Sequence, residues 1–91
     1  LSNSFIEALA CGLPVASTRV SGSEDVFAAA EIGALLEGPE PAALAAGIAP
    51  LLDDPARRAR CSAAAREVAL ARFSLAHVAA EVDALYHALL A

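Results

Sequence analysis

Leu1-Ser2-Asn3-Ser4-Phe5-Ile6-Glu7-Ala8-Leu9-Ala10-Cys11-Gly12-Leu13-Pro14-Val15-Ala16-Ser17 is the stretch whose reading decides the fold. A polar turn enters a helix, a glycine closes it, and a short apolar strand follows at once. Ser4 and Glu7 stand at capping-box spacing, Gly12 sits where a left-handed residue ends a helix, and Val15 to Thr18 reads as a strand. Such a helix entrance also has a chemical use. Its first N–H groups have no partner within the helix and the helix dipole adds to their pull, so a phosphate fits beside Ser2, Asn3 and Ser4.

Working outward, Arg19 to Phe27 forms a polar loop that leads into a short helix. Gly22 permits the close turn, and Ser23 is the expected cap, with Glu24 and Asp25 well placed in the first turn. The loop lies at the carboxyl end of the first strand, the side on which open parallel sheets bind ligands. Gly33-Ala34-Leu35-Leu36 reads as a second strand, closed by the Gly/Pro turn that follows. With a helix between them the two strands make a parallel pair, a type of pairing normally buried on both faces within a larger sheet.

The rest is helical. Pro41 suits a first helical position, and Leu44, Ile48, Leu51 and Leu52 predict a helix over residues 41 to 53, kinked or tightened near Ala46 and Gly47 by Pro50. Asp54 and Pro55 restart the chain as cap and first residue of a helix to about Arg72. Its inward face is Cys61, Ala65, Val68 and Ala69, and Phe73 closes its end. Ser74 caps a last helix whose stripe of Leu75, Val78, Val82, Leu85 and Leu89 is widened by Tyr86 and Leu90. His77 with Glu81, and Asp83 with His87, are spaced for surface pairs one helical turn apart.

Composition narrows the function. The chain has 91 residues, is 58% hydrophobic and carries a formal net charge of −5. That balance excludes a nucleic-acid binder, which needs clustered cations for its phosphate contacts, and it excludes a polybasic membrane patch. Arg57, Arg58, Arg60, Arg66 and Arg72 are expected to form a solvated helix face. Cys11 and Cys61 lack metal-ligand spacing and are expected to pack in the core as free thiols. Apolar runs are broken well before the roughly 20 residues that a membrane span requires. The stretch from Leu1 does not read as a positively charged leader, and a cytoplasmic chain with reduced thiols is the expectation.

The run SNSFIEALACGLPVAST, followed by GSEDV, resembles the C-terminal nucleotide-sugar domain of retaining glycosyltransferases of the GT-B fold, family four, also called group one. In that family two glutamates separated by seven residues bracket the turn and the start of the helix. Glu7 matches the second, and the first would fall two positions before Leu1. The resemblance therefore implies that residues 1–91 are the last part of a Rossmann-like domain, cut inside its motif. The fold class it implies is α/β and helix-rich, with two short parallel strands and long final helices.

The same resemblance supplies a function. The parent would transfer a hexose or related sugar, with retention, from a nucleoside diphosphate sugar to an acceptor held mainly by an N-terminal domain. Glu7 would bind the ribose hydroxyls, a fitting role because a carboxylate has two acceptor oxygens for a vicinal diol. The main-chain N–H groups of Ser2, Asn3 and Ser4 would face the diphosphate or the sugar. Many relatives have glycine and aromatic residues in this turn. No catalytic residue within the chain, no metal and no cofactor beyond the donor substrate are implied. A site at the inner face of the membrane, with a lipid acceptor, is compatible with it.

Each assignment has a structural competitor. Glu7 can serve only the capping box with Ser4; Ser2, Asn3 and Ser4 can be loop and cap residues; Glu24 can be a helix-end acid. Two other functions compete as well: a sugar-nucleotide epimerase of related architecture, and a helical module that self-associates without catalysis. The isolated chain is expected to be inactive, since it lacks much of a site. It is also expected to self-associate, through an exposed strand edge, the helix stripes or an exchanged helix.

Overall fold

The computed structural model describes residues 1–20 and 22–90, so Ser21 of the predicted polar loop lies outside the described residues. The elements run α1 (Asn3–Ala10), β1 (Val15–Ser17), α2 (Ser23–Ala29), β2 (Gly33–Leu35), α3 (Pro41–Leu52), α4 (Pro55–Arg72) and α5 (Leu75–Leu90). The two strands are parallel, with Val15 beside Gly33, Ala16 beside Ala34 and Ser17 beside Leu35. The chain is thus helix-rich α/β, as its sequence predicts.

Glycine at position 33 is a requirement of the sheet. A Cβ there would run into the carbonyl oxygen of Val15, so only a residue without one lets the strands meet. The parallel ladder turns the peptide groups of Val15 and Ser17 toward β2, with Val15 N–H donating to Ile32 O and Leu36 N–H to Ser17 O. The peptide groups of Gly33 and Ala16 face the two outer edges. On the β2 edge Arg57 covers the backbone, donating from Nη2 to the carbonyl of Gly33 at 3.3 Å. On the β1 edge the peptide groups of Ala16 have no partner among the described residues.

The core joins the sheet to three helices. Leu9 of α1, Val26 of α2, Ile32 just before β2, and Ala65, Val68 and Ala69 of α4 form one buried cluster. Phe5 and Phe27 meet edge-to-face beside it, their ring centroids 6.2 Å apart. Asp54 starts α4 as expected, its Oδ1 accepting the N–H of Arg57 at 2.9 Å, and Pro55 takes the first position. The predicted inward face is borne out: Cys61, Ala65, Val68 and Ala69 are all buried, and Phe73 closes the helix against the core.

Three expectations need correction. The arginine cluster is not simply a solvated face. Besides Gly33, Arg57 reaches Glu31 at 3.3 Å, and Arg58 donates to the carbonyls of Leu51 and Leu52 at the end of α3, where helix carbonyls lack intrahelical partners. Leu52 is exposed and only Leu51 is buried on α3, because the next residue lies about 100° further round the helix. The third concerns Cys11, which is exposed: helix α1 ends there and turns it outward. Helix α3 extends from Pro41 to Leu52 with Pro50 inside it.

On α5 the capping is as read, with Ser74 Oγ accepting the N–H of His77 at 3.2 Å. The surface pairs form too, His77 to Glu81 at 3.0 Å and His87 to Asp83 at 3.5 Å. The apolar stripe, however, covers nothing: Leu75, Val78, Val82, Leu85, Tyr86, Leu89 and Leu90 are all exposed. Among the described residues, no helix is long and apolar enough to cross a membrane.

Candidate functional site: the entrance of helix α1

Ser2, not Ser4, caps α1. Ser2 has extended backbone angles (φ −76°, ψ 154°), and its Oγ accepts the N–H of Phe5 at 3.2 Å. Ser4 is already the second helical residue, so the capping box expected between Ser4 and Glu7 does not form. A signal for this was present in the sequence. Leu1 and Ile6 occupy the two apolar positions of a hydrophobic staple around a cap at Ser2, and that pattern competes with Ser-x-x-Glu.

Moving the cap releases Glu7. Its side chain is exposed, and among the described residues no hydrogen bond or ion pair engages its carboxylate. Asn3 and Ser4, four and three residues before it, share its stripe of the helix. All three face water, while Phe5 and Leu9 turn inward to the core. The first turn contains no acidic residue, so the positive end of the helix dipole is not offset by a carboxylate of its own first turn.

The far end of α1 is fixed as firmly. Gly12 adopts φ +71°; its N–H donates to Leu9 O and that of Leu13 to Ala8 O, each at 3.0 Å, which is the Schellman arrangement. Ser62 of α4 donates to the carbonyl of Gly12 at 2.5 Å, tying this turn to the longest helix. Helix α1 runs back alongside β1, so its entrance and the loop after β1 share one end of the sheet. Gly22 in that loop is so near Leu1 that a Cβ would stand 3.1 Å from Leu1 Cγ.

Ser23 does not cap α2 as expected. Gly22, at φ +84°, holds the cap position, and Ser23 is fully buried with its hydroxyl turned back into the loop. Beside it Arg19, Val20, Gly22, Glu24 and Asp25 line a shallow cleft of about 290 Å³. A larger groove, about 620 Å³, runs along α2 and β2 and includes none of Ser2, Asn3, Ser4 or Glu7. The α1 entrance is therefore an open surface, suited to bind one side of a ligand. Among the described residues no group of His, Cys, Asp and Glu is arranged to hold a metal ion.

Residues 2–68 match the profile of the family described as glycosyl transferases group 1. The chain belongs to that family. A relative from Thermobispora bispora, named D-inositol 3-phosphate glycosyltransferase, is 41% identical over 81 residues, covering 89% of this chain and 19% of the relative. A Corynebacterium glutamicum protein of the same name is 42% identical over 82 residues, covering 90% of this chain and 19% of the relative. In Catenulispora acidiphila a third, D-inositol 3-phosphate glycosyltransferase 1, is 46% identical over 52 residues, covering 57% of this chain and 12% of the relative. The matched stretch thus spans about a fifth of the length of the first two relatives and about an eighth of the third, and none of the three is named an epimerase. No solved structure matches. The family match takes in the entrance of α1, both strands and most of α4, and stops before α5.

Proposed function

We propose that residues 1–91 are the C-terminal portion of the nucleotide-sugar-binding domain of a retaining glycosyltransferase, and that the entrance of α1 holds the donor. Glu7 accepts hydrogen bonds from the ribose hydroxyls, and the N–H groups at Ser2, Asn3 and Ser4 face the diphosphate or the sugar. As the diphosphate leaves, main-chain donors fixed at a helix entrance stabilise the charge that develops on it. The observation that carries this reading is the state of Glu7: exposed, without a partner among the described residues and relieved of capping by Ser2.

The acceptor, D-inositol 3-phosphate in the relatives' name, is left to the rest of the protein, because the candidate residues in this chain all stand on the donor side. The isolated chain is inactive and self-associates through the open β1 edge or the bare α5 stripe. Both cysteines are free thiols, which suits work in the cytoplasm, and a lipid acceptor at the inner membrane face belongs to the same proposal.

A chimera tests the reading. This chain replaces the matched 81 residues of the Thermobispora bispora relative, and sugar transfer is assayed. Transfer is expected to persist and to fall about 10- to 100-fold in kcat/KM on Glu7→Ala, the range of one hydrogen bond to a charged group. An inactive chimera that is folded, or an unchanged rate after Glu7→Ala, contradicts it.

A further inference from the structure

We propose that Ser23 is a positioning residue for the donor site: its buried hydroxyl holds the β1–α2 loop against the entrance of α1. The proposal rests on the donor-site reading above and adds to it a residue with no contact to the ligand.

Ser23 is the one buried polar residue among the described side chains, with no accessible surface. Its Oγ accepts the N–H of Val20 at 3.1 Å. Its single proton is shared between the carbonyls of Val20, at 2.8 Å, and Thr18, at 3.1 Å. The Ser23 N–H also donates to Val20 O at 3.0 Å. One side chain therefore ties Thr18 and Val20, just past β1, to the start of α2. A hydroxyl buried without such partners would be costly, so Thr18 and Val20 stay tied to Ser23 while it remains inside.

Gly22, the neighbour of Ser23, stands against Leu1, the residue before the cap of α1. Gly22 itself needs a positive φ, +84°, which a residue with a side chain rarely adopts. The chain of consequence runs from Ser23 to Gly22, from Gly22 to Leu1, and from Leu1 to the N–H groups at Ser2, Asn3 and Ser4. Loosening the first link lets the donor-facing groups drift, and small displacements in a preorganised site are felt in binding.

The test uses the chimera described above, with donor KM and kcat measured separately. Ser23→Ala is expected to raise the donor KM about 10-fold while kcat changes less than about 2-fold, and Ser23→Thr, which keeps the hydroxyl, to return most of the loss. Leu1→Ala removes the contact from an exposed position and is expected to shift donor KM in the same direction with the protein still folded, so it decides the matter should Ser23→Ala not fold. Glu7→Ala, run in parallel, separates the two claims. If Glu7→Ala raises donor KM and neither Ser23→Ala nor Leu1→Ala does, the positioning role is wrong and the donor site stands. If Glu7→Ala has no effect, the donor-site reading fails and the positioning role fails with it.

Discussion

Helices α1 and α5 stand at opposite ends of the chain and present opposite faces to water. Helix α1, eight residues long, turns Phe5 and Leu9 into the core and shows solvent Asn3, Ser4 and Glu7. Helix α5, sixteen residues long and with no buried residue, shows solvent an apolar stripe whose members are 44% to 87% exposed. By periodicity both helices are amphipathic, each with a one-sided apolar stripe. The difference shows that an apolar stripe locates a contact surface without saying where its partner lies, whereas a polar stripe on a well-anchored helix marks groups free to meet a ligand.

The largest expected effect sets the two helices directly against each other. Leu9→Ala, at a position with no exposure, is expected to cost about 2–5 kcal/mol in denaturant unfolding, while Leu85→Ala costs almost nothing in a monomer. If Leu85→Ala is as damaging as Leu9→Ala, the stripe is already covered in solution. Sedimentation then shows whether a second copy covers it, and Leu85→Glu is expected to return such an assembly to monomer.

Gly12→Ala comes next. It forces a side chain into φ +71°, with its Cβ 3.2 Å from Ser62 Oγ, and is expected to destabilise by about 1–2 kcal/mol. No residue of α5 has an equivalent role, and the reverse change there, Ala84→Gly, is expected to cost only the helix-propensity difference of roughly 1 kcal/mol.

A smaller effect concerns the two thiols. Burial, with Glu31 adding to it, pushes the Cys61 thiol above its ordinary value of 9.0, against the opposing pull of Arg57 and Arg60. The native state therefore holds its proton where the unfolded chain releases it. The associated stability is complete below about pH 9 and is lost as pH rises toward the raised native value. Cys61→Ala is expected to flatten that alkaline decline, read from melting temperatures against pH. In the native protein a thiol reagent is expected to modify exposed Cys11 quickly and Cys61 only on unfolding.

Most of the architecture was legible in the sequence because its signals are local. Gly12, Asp54-Pro55 and Ser74 each mark a helix end through their own backbone chemistry, and the inward face of α4 follows from helical spacing. The errors arose where two local patterns competed or where a distant partner decided. Ser2 and Ser4 are both acceptable caps by residue type, and the register was settled by which apolar residues reach the core. Arg57 meets Gly33 across 24 positions of chain, a contact that no sequence window contains. Ser23 looked like a cap for the same reason, its real partners being set by the loop's path. The donor-site assignment of Ser2, Asn3, Ser4 and Glu7 came from a family motif, and the fold then removed the competing structural role of Glu7.

Smallest in stability, and most direct for the central claim, is the pair Glu7→Ala and Ser2→Ala. Calorimetric titration of the chimera with UDP-glucose, UDP-N-acetylglucosamine and GDP-mannose in turn measures donor affinity without the acceptor. Ser2→Ala is expected to lower stability by about 1 kcal/mol through the lost cap and to weaken donor binding less than Glu7→Ala does, since the main-chain N–H groups remain. Glu7→Ala is expected to leave the melting temperature in place and weaken binding of the preferred donor about 10- to 100-fold. Equal and small losses from both changes, following the melting temperature, would contradict the account and leave Glu7 an ordinary surface carboxylate.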